Sequence, residues 1–91
     1  MVLAILDLIT ASLENIKDRD NERFRVLRQA LGYCWSVSVV AFPEKGKKIM
    51  ERWFQSEDKN IRWIMHENLK KNRLVRMDNK WVEYWQSMLT A

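Results

Sequence analysis

The 91 residues carry 16 Lys and Arg against 12 Asp and Glu, a net charge of +4, and 47% of them are hydrophobic, including five Trp and five Met. A chain of this length makes one domain, residues 1–91, and buries only about 60–65% of its unfolded surface, so it needs an efficient core. Two Gly and one Pro leave few turn formers, which favours helix over strand; the single cysteine, Cys34, excludes an internal disulfide.

The apolar start, MVLAILDLI, lacks a basic leader and carries Asp7, so it does not read as a signal peptide. The first helix is expected from about Val2 to Lys17. Val2, Ile5, Leu6, Ile9, Leu13 and Ile16 recur at three- and four-residue steps and predict its buried face. Asp18-Arg19-Asp20-Asn21 ends it, since three of those residues favour caps and turns.

The second helix is expected over about 22–41, with Asp20 or Asn21 as N-cap. Its first half is amphipathic. Its second half lies in the longest apolar run, ALGYCWSVSVVAF at 30–42, which should be covered on several sides. The run is shorter than the ~20 residues a bilayer requires and contains Ser36 and Ser38. Together with a lone Cys, this points to a cytoplasmic protein with no membrane partner. Gly32 costs about 1 kcal/mol of helix propensity, which a close approach of another helix there would offset.

Pro43 opens a third helix, about 43–55, because its fixed φ and missing N–H suit the first turn. Ile49, Met50, Trp53 and Phe54 form its expected buried stripe. The fourth helix is expected over about 59–74 with Asp58 as N-cap. The fifth is expected over about 79–89, capped by Asp78, with Trp81, Trp85, Met88 and Leu89 inward. Short turns make neighbouring helices antiparallel. The expected fold is therefore all-α, five helices stacked as antiparallel pairs.

Charge is unevenly placed. Residues 1–42 hold five basic and five acidic side chains; residues 43–91 hold eleven and seven, the whole of the +4. Electrostatic function is therefore expected in the second half. With Ile61 at zero and 100° per residue, Arg62, His66, Lys70 and Arg73 form one basic stripe, with Trp63 and Leu74 just beyond it. These six residues are the candidate partner-binding site, a basic stripe with Trp63 as stacking anchor. The alternative is a solvated face with Trp63 covered by the fifth helix. Asn68 falls in the core stripe and needs hydrogen-bond partners, such as the backbone of an adjacent loop.

No chemistry-bearing constellation accompanies the stripe. His66 is the one histidine and has no second His or Cys pair to build a zinc site. Glu57 and Asp58 are explained by helix capping. There is no Gly-rich phosphate loop and no nucleophile–base arrangement. The sequence therefore predicts a non-enzymatic protein without a cofactor.

Residues 43–69, PEKGKKIMERWFQSEDKNIRWIMHENL, carry the most specific pattern. A short Pro-Glu helix leads to Asp58-x-x-Ile61-Arg62, then Met65, Asn68 and Leu69. This resembles a HEAT-repeat unit, in which the longer helix of a pair starts Asp-x-x-Val-Arg. The departures are Phe24-Arg25, four rather than three residues after Asp20, and Asn68 in place of a small apolar residue. The resemblance implies a HEAT-like α–α superhelix fragment; a compact helical bundle is the alternative. It implies that Arg62 pairs with a loop acid such as Asp58, and a scaffold or protein-binding role with another protein or a second copy as partner. The fold of alkylpurine DNA glycosylases is HEAT-like too, so nucleic-acid binding is the alternative function. Two and a half units are fewer than the three a solenoid usually needs, which implies a longer array or self-association.

Overall fold

The computed structural model describes residues 2–19 and 21–90. It has six helices: α1 Val2–Leu13, α2 Glu22–Ala41, α3 Pro43–Phe54, α4 Lys59–Leu69, α5 Asn72–Met77 and α6 Asn79–Thr90. The fold is all-α, with no strand among the described residues. Its extents are 36 × 32 × 19 Å, and 19 Å is the thickness of two helices laid one on another. No helix is long and apolar enough to cross a membrane.

The central helix is α2, which touches α1, α3, α4 and α5. Asn21 caps its start by accepting from the Phe24 N–H at 3.0 Å; the alternative cap, Asp20, lies outside the described residues. Trp35, Val39 and Leu31 are buried on its inner face with Met50, Ile61, Ile64, Met65 and Leu69. Close approach needs the two glycines. A Cβ on Gly32 would lie 3.3 Å from the Trp63 ring of α4, and one on Gly46 would lie 2.8 Å from the Val39 Cα. The approach expected at Gly32 is therefore present, and α3 crosses α2 more tightly still at Gly46.

Asn68 joins α4 to α2. Its Oδ1 accepts from the Ser36 N–H at 2.8 Å, and its Nδ2 donates to the Leu31 and Ile64 carbonyls at 2.8 and 2.7 Å. The partner is the backbone of a helix rather than of a loop. Every polar atom of this buried amide is satisfied, so the residue is a structural pin.

Four expectations are corrected. The first helix ends at Leu13, not Lys17; Arg19 Nη2 donates to the carbonyl of Leu13, its last residue, at 2.8 Å, and Nε donates to Ile16 O in the turn beyond at 3.2 Å. Its buried face is Leu3, Leu6, Thr10 and Leu13, whereas Val2 and Ile5 are more than half exposed. The helix is apolar nearly all round, so period alone cannot choose the face. Its rotation is set by polar contacts instead, with Trp35 Nε1 donating to Thr10 Oγ1 at 3.1 Å and Trp53 Nε1 to Asp7 Oδ1 at 2.8 Å.

The fourth helix breaks after Leu69. Lys71 takes an extended backbone at φ −72°, ψ 130° and starts α5. The break turns Leu74 into the core, where it is fully buried. In α6 the buried residue is Val82; Trp81, Trp85 and Leu89 are half-buried against the core, and Met88 is 52% exposed. In α3, Met50 and Phe54 are buried, while Ile49 and Trp53 are half-buried.

The N-caps at Asp58 and Asp78 are as expected. Asp58 Oδ1 accepts from the Asn60 and Ile61 N–H groups, and Asp78 Oδ1 accepts from the Trp81 N–H.

Candidate functional site

The six residues of the sequence-derived stripe do not share one surface. Arg62 turns toward α6, donating from Nη2 to Leu89 O at 3.0 Å and from Nη1 to Ser56 O at 3.4 Å. It pairs with no loop acid, because Asp58 is taken by Arg19 at 2.7 Å. Trp63 turns the other way, against Gly32 of α2; its cover is α2, not the last helix. His66 is half-buried. Lys70 pairs with Glu67 at 2.8 Å and, with nearby His66 adding to the effect, holds that carboxyl below its ordinary range. Arg73 bends back to α2, and Leu74 leaves the surface. A straight-helix projection fails because the chain bends between Leu69 and Asn72.

What the structure brings together is an edge where α2 meets α4 and α5. The Arg28 guanidinium lies 3.6 Å from the centre of the Trp63 ring. One turn further along α2, Tyr33 has Arg73 at 4.7 Å and Lys71 at 5.9 Å from its ring centre. Arg73 also donates from Nη1 to Ser36 Oγ at 2.9 Å and from Nη2 to Tyr33 Oη at 3.3 Å. Cation–aromatic contacts of this kind contribute about 0.5–2 kcal/mol each and fix the direction of a guanidinium. Of the six expected residues, Trp63 and Arg73 belong to this edge. Arg28 and Tyr33 carry no local signal that brings an α2 residue to α4; the tight spot at Gly32 is the trace left in the sequence.

Arg28 differs from the other half-buried arginines. Arg19, Arg62 and Arg73 each donate hydrogen bonds within the chain. The Arg28 Nε is buried with no acceptor, and the residue makes no ion pair among the described residues. A cavity of about 250 Å³ opens beside it, lined by Arg19, Phe24, Arg25, Arg28, Gln29 and Asn60. Of its lining residues, Arg19 is held by Asp58 at 2.7 Å. The guanidinium keeps the Asp58 carboxyl below the ordinary carboxylate range, helped by the Asn60 and Ile61 N–H groups, and Arg19 is raised in return.

Beside Tyr33, and away from the Arg28–Trp63 contact, the outward side of α2 is apolar. Val26 is 61% exposed, Val37 45% and Val40 39%, and Ala30 is exposed between them. At 100° per residue, positions 26, 30, 37 and 41 fall within a narrow stripe. Its N-terminal part is a shallow, open depression of about 480 Å³ lined by Glu22, Arg23, Val26, Leu27 and Ala30. The expectation that the apolar run would be covered on several sides thus holds, with α1, α3, α4 and α5 around α2, except along this stripe. Comparisons with protein-family models, curated proteins and solved structures find no match to this chain, so the HEAT resemblance stands on residues 43–69 alone.

Proposed function

We propose that the chain is a non-enzymatic interaction module, HEAT-like in its pairing of helices, that receives a partner protein on the outer side of α2. The observation that carries this reading is the exposed Val26–Ala30–Val37 stripe, bordered on the same side of α2 by the exposed Tyr33 ring with the Arg73 and Lys71 cations against it. Exposed apolar stripes bordered by charge mark interaction sites on small proteins. Arg and aromatic residues are also the side chains that most often dominate such interfaces. The chemistry suits a segment with an apolar face and an acidic flank, supplied by another protein or by a second copy. A cytoplasmic setting belongs to the same proposal, in keeping with the single thiol.

Site-specific photo-crosslinking tests it. A crosslinker at Val37 should capture a defined partner, and one at the exposed Lys48 of α3 should not. Tyr33→Ala should abolish the Val37 product. Equal capture at both positions, or none at either together with a monomer by sedimentation at high concentration, would refute the assignment.

Duplex binding is the weaker reading. Glu67 and Asp58 interrupt the cations of the edge, so they form no continuous track for a phosphate backbone. Salt-independent failure to bind duplex DNA would remove it.

A further inference from the structure

We infer that the cavity beside Arg28 is an oxyanion site for a phosphate monoester dianion. The inference goes beyond the interaction reading, because this cavity lies on the side of α2 that meets α4, away from the Val26–Ala30–Val37 stripe.

The argument begins with Arg28. A guanidinium has five N–H donors and no acceptor capacity. A half-buried one normally satisfies several of them within the fold, as Arg19, Arg62 and Arg73 do. Among the described residues no hydrogen bond or ion pair engages Arg28, and its Nε is buried without an acceptor. Leaving a buried donor without an acceptor costs about 1–3 kcal/mol. The stack on Trp63 at 3.6 Å offsets part of that and holds the guanidinium plane in one orientation.

Around it, three of the six residues lining the cavity are arginines; Arg19 is paired with Asp58 at 2.7 Å, so, among the described residues, Arg25 and Arg28 supply the free charge. Gln29 and Asn60 add side-chain amides, and Phe24 supplies one apolar wall, over which Arg19 sits at 5.6 Å. The start of α4 is not the donor. Its Asn60 and Ile61 N–H groups already bind Asp58 Oδ1.

The donor set decides the ligand. A carboxylate has two oxygens and one charge, and a single Arg fork matches that charge. A phosphate monoester offers three acceptor oxygens and a charge of about −1.5 to −2 at neutral pH. Arg25 and Arg28, with no carboxylate partner among the described residues, match that charge, and the amides of Gln29 and Asn60 match the extra oxygens. A phosphodiester carries one charge and two free oxygens, so it should bind less well.

The test is NMR of the whole chain, following the Arg Nε–H and Trp indole N–H signals at constant ionic strength. Inorganic phosphate and O-phosphoserine are titrated at pH 7.5 and pH 5, with dimethyl phosphate and acetate as the comparison ligands. Saturable shifts are expected at Arg25, Arg28 and Trp63. Affinity should fall at least fivefold at pH 5, where phosphate loses its second charge. O-phosphoserine binding as tightly as inorganic phosphate, or tighter, would mark a partner's modified side chain as the source; weaker binding would mark the free ion.

Arg28→Lys keeps a charge but loses the fork, and should weaken phosphate at least fivefold. Arg25→Ala, on an exposed side chain, should do the same without disturbing the fold, which unchanged thermal unfolding would verify. No saturable shift, equal shifts with acetate, equal affinity for dimethyl phosphate, or full binding by Arg28→Lys would each overturn the inference. Those results would leave Val37 crosslinking intact, and loss of Val37 crosslinking would leave phosphate binding intact, so the two readings fail separately.

Discussion

The first two helices and the last four reverse what their compositions suggest. Residues 1–42 are electrically neutral and rich in apolar side chains, whereas residues 43–91 carry the whole net charge. Yet eight of the ten exposed large hydrophobic residues lie in the first part, and only Tyr84 and Met88 in the second. The half-buried Lys and Arg side chains of the second part are engaged: Lys47 by Asp78, Arg62 by carbonyls, Arg73 by Ser36, and Lys71 over Tyr33. Among the described residues, the one half-buried arginine that donates to nothing, Arg28, is in the neutral part. Composition tells how much charge or apolar surface a segment brings. Availability to a partner depends on what the fold places beside each group.

The sharpest way to break this arrangement is to cut the pin between its two parts. Asn68→Ala removes the acceptor of the buried Ser36 N–H and opens a small cavity. It should destabilise the chain by about 3 kcal/mol, or roughly 15 °C in melting temperature for a domain of this size, measured by thermal unfolding. An unchanged melting point would mean that Asn68 does not join α4 to α2.

Gly46→Ala comes next. Its methyl would sit 2.8 Å from the Val39 Cα, so the backbones must separate, at about 2 kcal/mol. Urea unfolding should show that loss, and a neutral result would refute the close crossing of α3 over α2.

The Arg19–Asp58 pair links the end of α1 to the start of α4, and it titrates. The folded-state pKa of Asp58 lies below its unfolded value. Its contribution is therefore complete above about pH 4, the ordinary carboxylate range, and fades as pH falls through the lowered folded value. Asp58→Asn keeps a capping oxygen but has no proton to gain. The stability difference between wild type and this variant should shrink steadily below about pH 4, and a constant difference would show that the pair does not act.

Val37→Glu has the smallest expected effect on folding, within about 0.5 kcal/mol for a surface change. Crosslinking or sedimentation should nonetheless show loss of association. A large destabilisation would mean that the stripe is core rather than surface.

The helical class, the chain breaks near residues 20, 42, 57 and 78, and the caps at Asp58 and Asp78 were set by local chemistry: side-chain oxygens that take helix N–H groups, a proline at a first turn, and apolar residues at helical spacing. Asn68 as a residue needing partners was legible for the same kind of reason, since an amide in an apolar stripe must be satisfied. Three matters were decided only by tertiary structure. The rotation of α1 depends on Trp35 and Trp53, which lie 25 and 46 residues away from their partners Thr10 and Asp7. The bend at Lys71 has no proline, glycine or side-chain cap to announce it; burial of Leu74 accompanies it. The pairing of Arg28 with Trp63 joins residues on separate helices and exists because Gly32 lets those helices meet. Local propensity acts within a few residues of the chain, whereas a surface that can bind is assembled from contacts across it.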